Sequence, residues 1–152
     1  MRGPLAGIKV IEIGQALAGP LASAIMADMG ADVIKIEKPD GGDDARGWGP
    51  PFIEEASIMF HVTNRNKRSV TIDMKNAAGI EKLKTLVRDA DILIQNLRSG
   101  VVGDLGIGPD DMRAINPRLI YCSIWAFGRN GPLAKAPGFD PLLQAFGGAM
   151  MQ

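Results

Sequence analysis

The chain has 152 residues, 46% of them hydrophobic and 22% charged, with 17 basic and 17 acidic side chains. This is the composition of one globular domain or a piece of a larger one, and it excludes a disordered chain. A formal charge of zero argues against a general nucleic-acid binder, because counterion-release binding needs a basic surface. A single cysteine excludes an internal disulfide and a Cys-rich metal site, and a single histidine excludes His-pair metal motifs. A serine triad could draw only on His61. No metal site is expected.

Met1-Arg2-Gly3-Pro4 leads into a run broken by Lys9 and Glu12, which is not the pattern of a signal peptide. The nearest approach to a membrane span, Leu17 to Ile25, is broken by Gly19 and Pro20. The expected compartment is the cytoplasm, with no membrane partner. Glycine and proline number 19 and 10, well above the usual share of roughly 12%, and they fall between apolar runs as ordered turns.

Ile8–Ile13 is short, β-branched and followed by Gly14, which predicts a strand. Pro20 suits the first turn of a helix in which Leu21, Ile25, Met26 and Met29 share one face, and Gly30 suits its C-cap. Asp32–Ile36 is a second strand, so the chain opens as a βαβ unit. Pro39–Pro51 is a long loop, Ser57–Val62 is ambiguous, and Asn64–Arg68 is a polar, basic turn. Ser69–Ile72 is a third strand. Asn76–Ala90 is a helix with Ile80, Leu83, Val87 and Ala90 on one face. Asp91–Ile94 is a fourth strand, Pro109–Ile115 a helix stopped by Asn116-Pro117, and Leu119–Ile124 a fifth strand. An apolar helix is expected from Pro141 onward.

Alternating strands and helices predict an α/β fold, a parallel sheet with helices on both faces. Such sheets bind ligands at the carboxyl ends of their strands. That rule points to Gln15–Ala18, Glu37–Lys38, Asp73–Lys75, Asn96–Arg98 and Trp125–Gly128. The loop after the first strand lacks G-x-G-x-x-G, which disfavours a nicotinamide dinucleotide, and no P-loop is present. Lys38, Arg46, Lys67, Arg68, Lys75 and Arg98 gather near the predicted strand ends. They read either as a solvated rim or as a holder for a phosphorylated ligand.

At these loops the sequence resembles the N-terminal part of the family III CoA-transferases, the CaiB/BaiF family, which includes formyl-CoA transferase and the carnitine CoA-transferases. The resemblance is carried jointly by Gly3-Pro4-Leu5-Ala6-Gly7-Ile8-Lys9-Val10, Leu17-Ala18-Gly19-Pro20 and Gly30-Ala31-Asp32-Val33-Ile34-Lys35-Ile36-Glu37. Gly42–Phe52, Asn64–Ser69 and Asn116–Tyr121 add to it, and it runs from about residue 3 to the end. It implies a Rossmann-like fold, of which residues 1–152 are the N-terminal part of the large domain, and a dimer of interlocked subunits. It implies coenzyme A or acyl-CoA as substrate rather than as a permanent cofactor, with a carboxylic acid as acceptor. By position it implies CoA contacts from Leu17, Ala18, Lys38, Ile72, Asp73, Met74, Lys75, Asn96, Leu97, Arg98, Pro137, Gly138, Phe139 and Asp140. Lys38 and Lys75 are suited to phosphates, Asn96 to amide groups, and Leu17 and Leu97 to apolar parts of the ligand. The family often has a basic residue where Asp104 stands, so that contact is dropped; Lys135 is a candidate substitute.

The family mechanism uses an aspartate nucleophile that forms an aspartyl-CoA thioester. That residue is expected beyond Gln152, in a glycine-containing loop after the helix near Pro141, so none is assigned here and the chain alone is expected to be inactive. The stretch Phe146–Gln152 is apolar to its end, which also reads as a fragment. Asp140 matches a different family position, and Asp43 and Asp44 are expected to order their loop through Asx-type bonds. Two alternatives stand beside the transferase. One is an α-methylacyl-CoA racemase-like enzyme, weakened because its histidine would fall at Phe139. The other is a short non-catalytic protein that binds CoA or dimerises. Elsewhere, His61 reads as packed or hydrogen-bonded, Cys122 as an inert buried thiol, and Trp48 as a pocket wall or loop packing. Met150 and Met151 read as core or subunit interface.

Overall fold

The computed structural model describes residues 3–151. The Met1-Arg2 start and the final Gln152, both used in the sequence reading, lie outside those residues. In chain order the structure runs β1 (Lys9–Ile13), α1 (Ala18–Asp28), β2 (Asp32–Glu37), then a small hairpin of β3 (Phe52–Ile53) and β4 (Ala56–Ser57). It continues with α2 (Ile58–Asn64), β5 (Arg68–Thr71), α3 (Ala77–Arg88), β6 (Ile92–Gln95) and α4 (Val101–Asp104). It closes with α5 (Pro109–Ile115), β7 (Ile120–Ser123) and α6 (Asp140–Phe146).

The main sheet has the order β5-β2-β1-β6-β7, and every pairing in it is parallel. From β1 the chain moves outward to β2 and β5, then returns to lay β6 and β7 on the other side. The strand order therefore reverses between β1 and β6. In open parallel sheets this switch point opens a crevice at the carboxyl ends of the strands.

Side-chain alternation sorts the strands between two faces. Ile11, Ile13, Ile36 and Leu93 pack with Leu83 and Val87 of α3 and with Met112 of α5. Val10, Val33 and Ile94 pack with Ala27 of α1 on the other face. Asn76 caps α3, its Oδ1 accepting from the Gly79 N–H at 2.8 Å. Gly30, at φ +97, ends α1, with Ala31 N–H bonded back to Met26 O.

Four local expectations are corrected. Most of the predicted apolar face of α1 points outward: Leu21, Ile25 and Met29 are 38%, 51% and 40% exposed, and only Met26 packs against the core. The buried face is the small one, Gly19, Pro20, Ser23, Ala24 and Ala27, which lets the helix lie close to the sheet. The ambiguous segment is a helix, α2, because Ser57 Oγ accepts from Phe60 N–H at 3.1 Å as an N-cap. Cys122 is only half-buried, since β7 is an edge strand of the sheet. Met150 and Met151 are exposed, which sets aside the reading as core but not the reading as subunit interface.

Candidate functional site

The loops leaving β1 and β6 meet at the switch point. Asn96, just past β6, uses both ends of its amide on the β1–α1 loop: Oδ1 accepts from Gln15 N–H at 2.8 Å, and Nδ2 donates to Gln15 O at 2.9 Å. Beside this junction lies a cleft of about 420 Å³. Its walls include Ala18, Asn96–Ser99, Ile124–Phe127, Pro137–Phe139 and Leu143. Trp125 is fixed there by its indole N–H, which donates to Leu97 O at 3.1 Å. On the other side of Leu97 is a narrow slot of about 30 Å³ between the loops after β1, β2 and β5, lined by Gln15, Lys38, Gly42, Asp43 and Met74 among others.

The expected contact residues divide between these spaces. Ala18, Asn96, Leu97, Arg98, Pro137, Gly138 and Phe139 line the large cleft. Lys38, Met74 and again Leu97 line the slot. Leu17, Ile72, Asp73, Lys75 and Asp140 line neither. Ile72 is buried in the apolar core. Asp73 shapes its own turn, accepting from Lys75 N–H and from the Asn76 amide. Asp140 is exposed and accepts from Gln144 of its own helix. Trp125, Phe127 and Leu143 were absent from the expected set. The strand-end rule had pointed at Trp125–Gly128, so a signal for the first two was present.

The six cations do not form one cluster. Arg68 opens β5, at the amino end of the strands, and pairs with Asp32. Arg46 makes a two-pronged pair with Glu37, both bonds at 2.8 Å, and its guanidinium lies 3.8 Å above the Phe60 ring. Lys38 pairs with Asp44, which holds its pKa above the usual lysine value. Lys67 is buried. Among the described residues, Lys75 and Arg98 carry no ion pair. They are the cations of the set with nothing to release before meeting an anion.

Beneath the β1–α1 loop lies a buried ionic group. Glu12 and Lys35 are directly opposed across β1 and β2, on the α1 side of the sheet. Their side chains are 0% and 1% exposed, and Lys35 Nζ sits 3.1 Å from Glu12 Oε1 and 2.8 Å from Asp43 Oδ2. Lys67 Nζ reaches the other Glu12 oxygen at 3.1 Å and also donates to Pro20 O and Asn64 Oδ1. Burial pulls the Lys67 pKa down to about 8, although the Glu12 charge opposes that shift. Next to this group, Glu37 is brought down to about 2. Burial would raise it, but hydrogen bonds from Arg46, Ser69 and Asp43 N–H outweigh burial. Asp43 makes the expected Asx-type bond to Ala45 N–H at 3.0 Å, whereas Asp44 is engaged with Lys38.

His61 is exposed, with its Nε2 3.1 Å from Ile53 O. Trp48 is also exposed and lines neither cleft nor slot. Among the described residues there is no group of three or more His, Cys, Asp or Glu side chains placed to hold a metal ion. No helix among them is long and apolar enough to cross a membrane.

The sequence model of CoA-transferase family III matches residues 5–152. The chain is 47% identical over 153 residues to a succinate–glutarate CoA-transferase of Agrobacterium fabrum, covering 97% of this chain and 38% of that protein. It is 39% identical over 147 residues to a succinyl-CoA:glutarate CoA-transferase of Mus musculus, covering 97% of this chain and 34% of that one. The crystal structure of a CaiB/BaiF family protein from Brucella suis superposes with a TM-score of 0.94 at 45% identity, over 99% of this chain and 40% of that one. The chain thus spans between a third and two fifths of the length of these three proteins. A match over nearly every residue, shared by sequence and fold, assigns the chain to the CoA-transferase family III.

Proposed function

We propose that this chain supplies the coenzyme A-binding part of an enzyme that moves CoA from an acyl-CoA donor to a carboxylic acid. The observation that carries the reading is the family match together with the cleft at the β1/β6 switch point. Its apolar and aromatic wall, Leu97, Trp125, Phe127 and Phe139, suits the uncharged length of the ligand. Arg98 at its edge, and Lys75 outside it, suit the phosphates.

In the reaction we infer, an aspartate carboxylate attacks the acyl-CoA thioester carbonyl, forming a mixed anhydride and expelling CoA thiolate. The thiolate then attacks the aspartyl carbonyl, forming the aspartyl-CoA thioester and releasing the donor acid. The acceptor carboxylate enters by the same two steps in reverse. We place the nucleophile outside these 152 residues. Supporting this, Asp43 and Glu37 are the two acidic residues lining the slot, both buried in ion pairs, and Asp140 does not line the cleft. By itself the chain then binds CoA without turnover. A cytoplasmic homodimer is part of the same proposal. The racemase alternative finds no support, since Phe139 lines the cleft with a ring that moves no proton.

The test is calorimetric titration of the full-length protein with CoA and, separately, with NAD, followed by a transfer assay. Succinyl-CoA and glutarate are the first pair to try, because the Agrobacterium and mouse relatives carry those names. CoA binding is expected, and Arg98→Ala is expected to weaken it about tenfold. Binding of NAD without CoA would overturn the proposal.

A further inference from the structure

The backbone from Gly14 to Ala16 is held almost entirely by side chains of other elements. Lys35 of β2 donates to Gly14 O at 2.9 Å. Asn96 brackets Gln15 from both sides. Asp43, from the long loop after β2, accepts from Ala16 N–H through Oδ1 at 3.0 Å. Ala16 needs such restraint, because it stands at φ +64, where a side chain is disfavoured. The loop so held delivers Gln15 to the slot and Ala18 to the large cleft.

Asp43 is the member that joins two loops. Its carboxylate is fully buried, and every neighbour suits an acceptor. Oδ1 takes the N–H groups of Ala16 and Ala45, and Oδ2 faces Lys35 Nζ at 2.8 Å. Its own N–H donates to Glu37 Oε2 at 2.8 Å, and Glu37 is in turn gripped by Arg46. Glu12 and Lys67 complete the group, so two carboxylates face two ammonium groups. An asparagine here would turn an N–H₂ group toward Lys35, so the carboxylate and the lysine are required together.

We propose that Asp43 is a positioning residue: it pins Ala16 and so sets the β1–α1 loop in the shape that forms the CoA cleft. The proposal rests on the CoA-binding reading above, with Asp43 acting through the loop and not by touching ligand.

The experiment compares two double variants of the full-length protein, K35M/D43N and K35M/D43A. Both remove the Lys35–Asp43 ion pair and leave the Glu12–Lys67 pair. Only the first keeps an oxygen that can accept from Ala16 N–H. The probes are CoA titration by calorimetry, thermal melting, and hydrogen exchange of the Ala16 amide by NMR. K35M/D43N is expected to bind CoA at least tenfold more tightly than K35M/D43A, with melting temperatures within a few degrees of each other. Protection of the Ala16 amide should survive in the first and vanish in the second. Equal CoA affinities in the two would overturn the proposal. Should K35M/D43A fail to fold, the wild-type amide decides: an Ala16 N–H exchanging as fast as an unpaired loop amide would also overturn it. A wild-type protein that binds no CoA sinks the functional reading instead, and the exchange data still judge the pin.

Discussion

Replacing Lys35 by methionine is the sharpest test of the buried ionic group. The substitution nearly conserves shape and removes one positive charge from a site where Lys35, Glu12 and Asp43 have at most 1% side-chain exposure. The two carboxylates are then left with Lys67 alone, which contacts Glu12 and not Asp43. Breaking a buried pair on one side costs about 3–5 kcal/mol, because an uncompensated charge stays behind. In a domain of this size that lowers the melting temperature by roughly 6–20 °C, at about 2–4 °C per kcal/mol. It is a large part of a typical total stability of about 5–15 kcal/mol. Adding D43N returns the group to neutrality with the 3.1 Å Glu12–Lys67 pair intact, and it should restore at least half of the loss. Urea unfolding of the wild type and both variants, compared at constant slope, measures this. If K35M costs less than about 1 kcal/mol, or if the second substitution recovers nothing, the four charges do not act as one balanced group.

Two further perturbations address the flanking structure. Glu37 titrates at about 2 in the folded chain against an ordinary value of 4.5, so its folded pKa is depressed. The resulting stability, roughly 3 kcal/mol, is fully present above pH 4.5 and is lost as the pH falls toward 2. E37Q should flatten that part of the acid-unfolding profile, and an unchanged slope would count against the Arg46–Ser69–Asp43 bonding scheme. Gly79→Ala should cost about 3 kcal/mol by urea unfolding, since overpacking penalties of this order follow when backbone must move. A Cβ at Gly79 would stand 1.8 Å from Asp73 O and 2.6 Å from Asp73 C. A loss below about 0.5 kcal/mol would show that the turn before α3 does not press on the helix as described.

The five strands of the main sheet and the helices α1, α3, α5 and α6 were legible because each leaves a local mark, whereas the two-residue strands β3 and β4 and the single turn α4 are too short to leave one. The short β-branched run Ile8–Ile13 ending at Gly14, a 3.6-residue stripe through Ile80, Leu83 and Val87, and the Asn116-Pro117 stop all survive in the structure. Facing was harder to read. The stripe of Leu21, Ile25 and Met29 looked like a core face, but which face is buried depends on how close the helix must come to the sheet. The small residues Ala24 and Ala27 permit the closer approach. The charges were misread for a similar reason. Lys67 sits in a run of polar residues that looks like a surface turn, yet its ammonium reaches back to Glu12, 55 positions earlier. One clue was available: Glu12 and Lys35 lie on the same strand faces as buried Val10 and Val33, so period two alone places opposite charges inside. Ion pairing across β1 and β2 follows once the register is known.

The same group explains why the β1–α1 loop lacks the glycine fingerprint of a dinucleotide site. In that fingerprint, glycines clear space for a pyrophosphate against the backbone. Here Gly14 and Gly19 clear space for protein. A Cβ on Gly14 would stand 2.4 Å from Glu12 Oε1 and 3.1 Å from Asn96 Oδ1, and one on Gly19 would stand 3.1 Å from the same Asn96 oxygen. The room a phosphate would need is filled by an amide and a carboxylate. Backbone donors that a pyrophosphate would use are also taken, Gln15 N–H by Asn96 and Ala16 N–H by Asp43. A loop of this kind is set before any ligand arrives. What it leaves open is its outer side, where Ala18, Leu97 and Arg98 line the cleft.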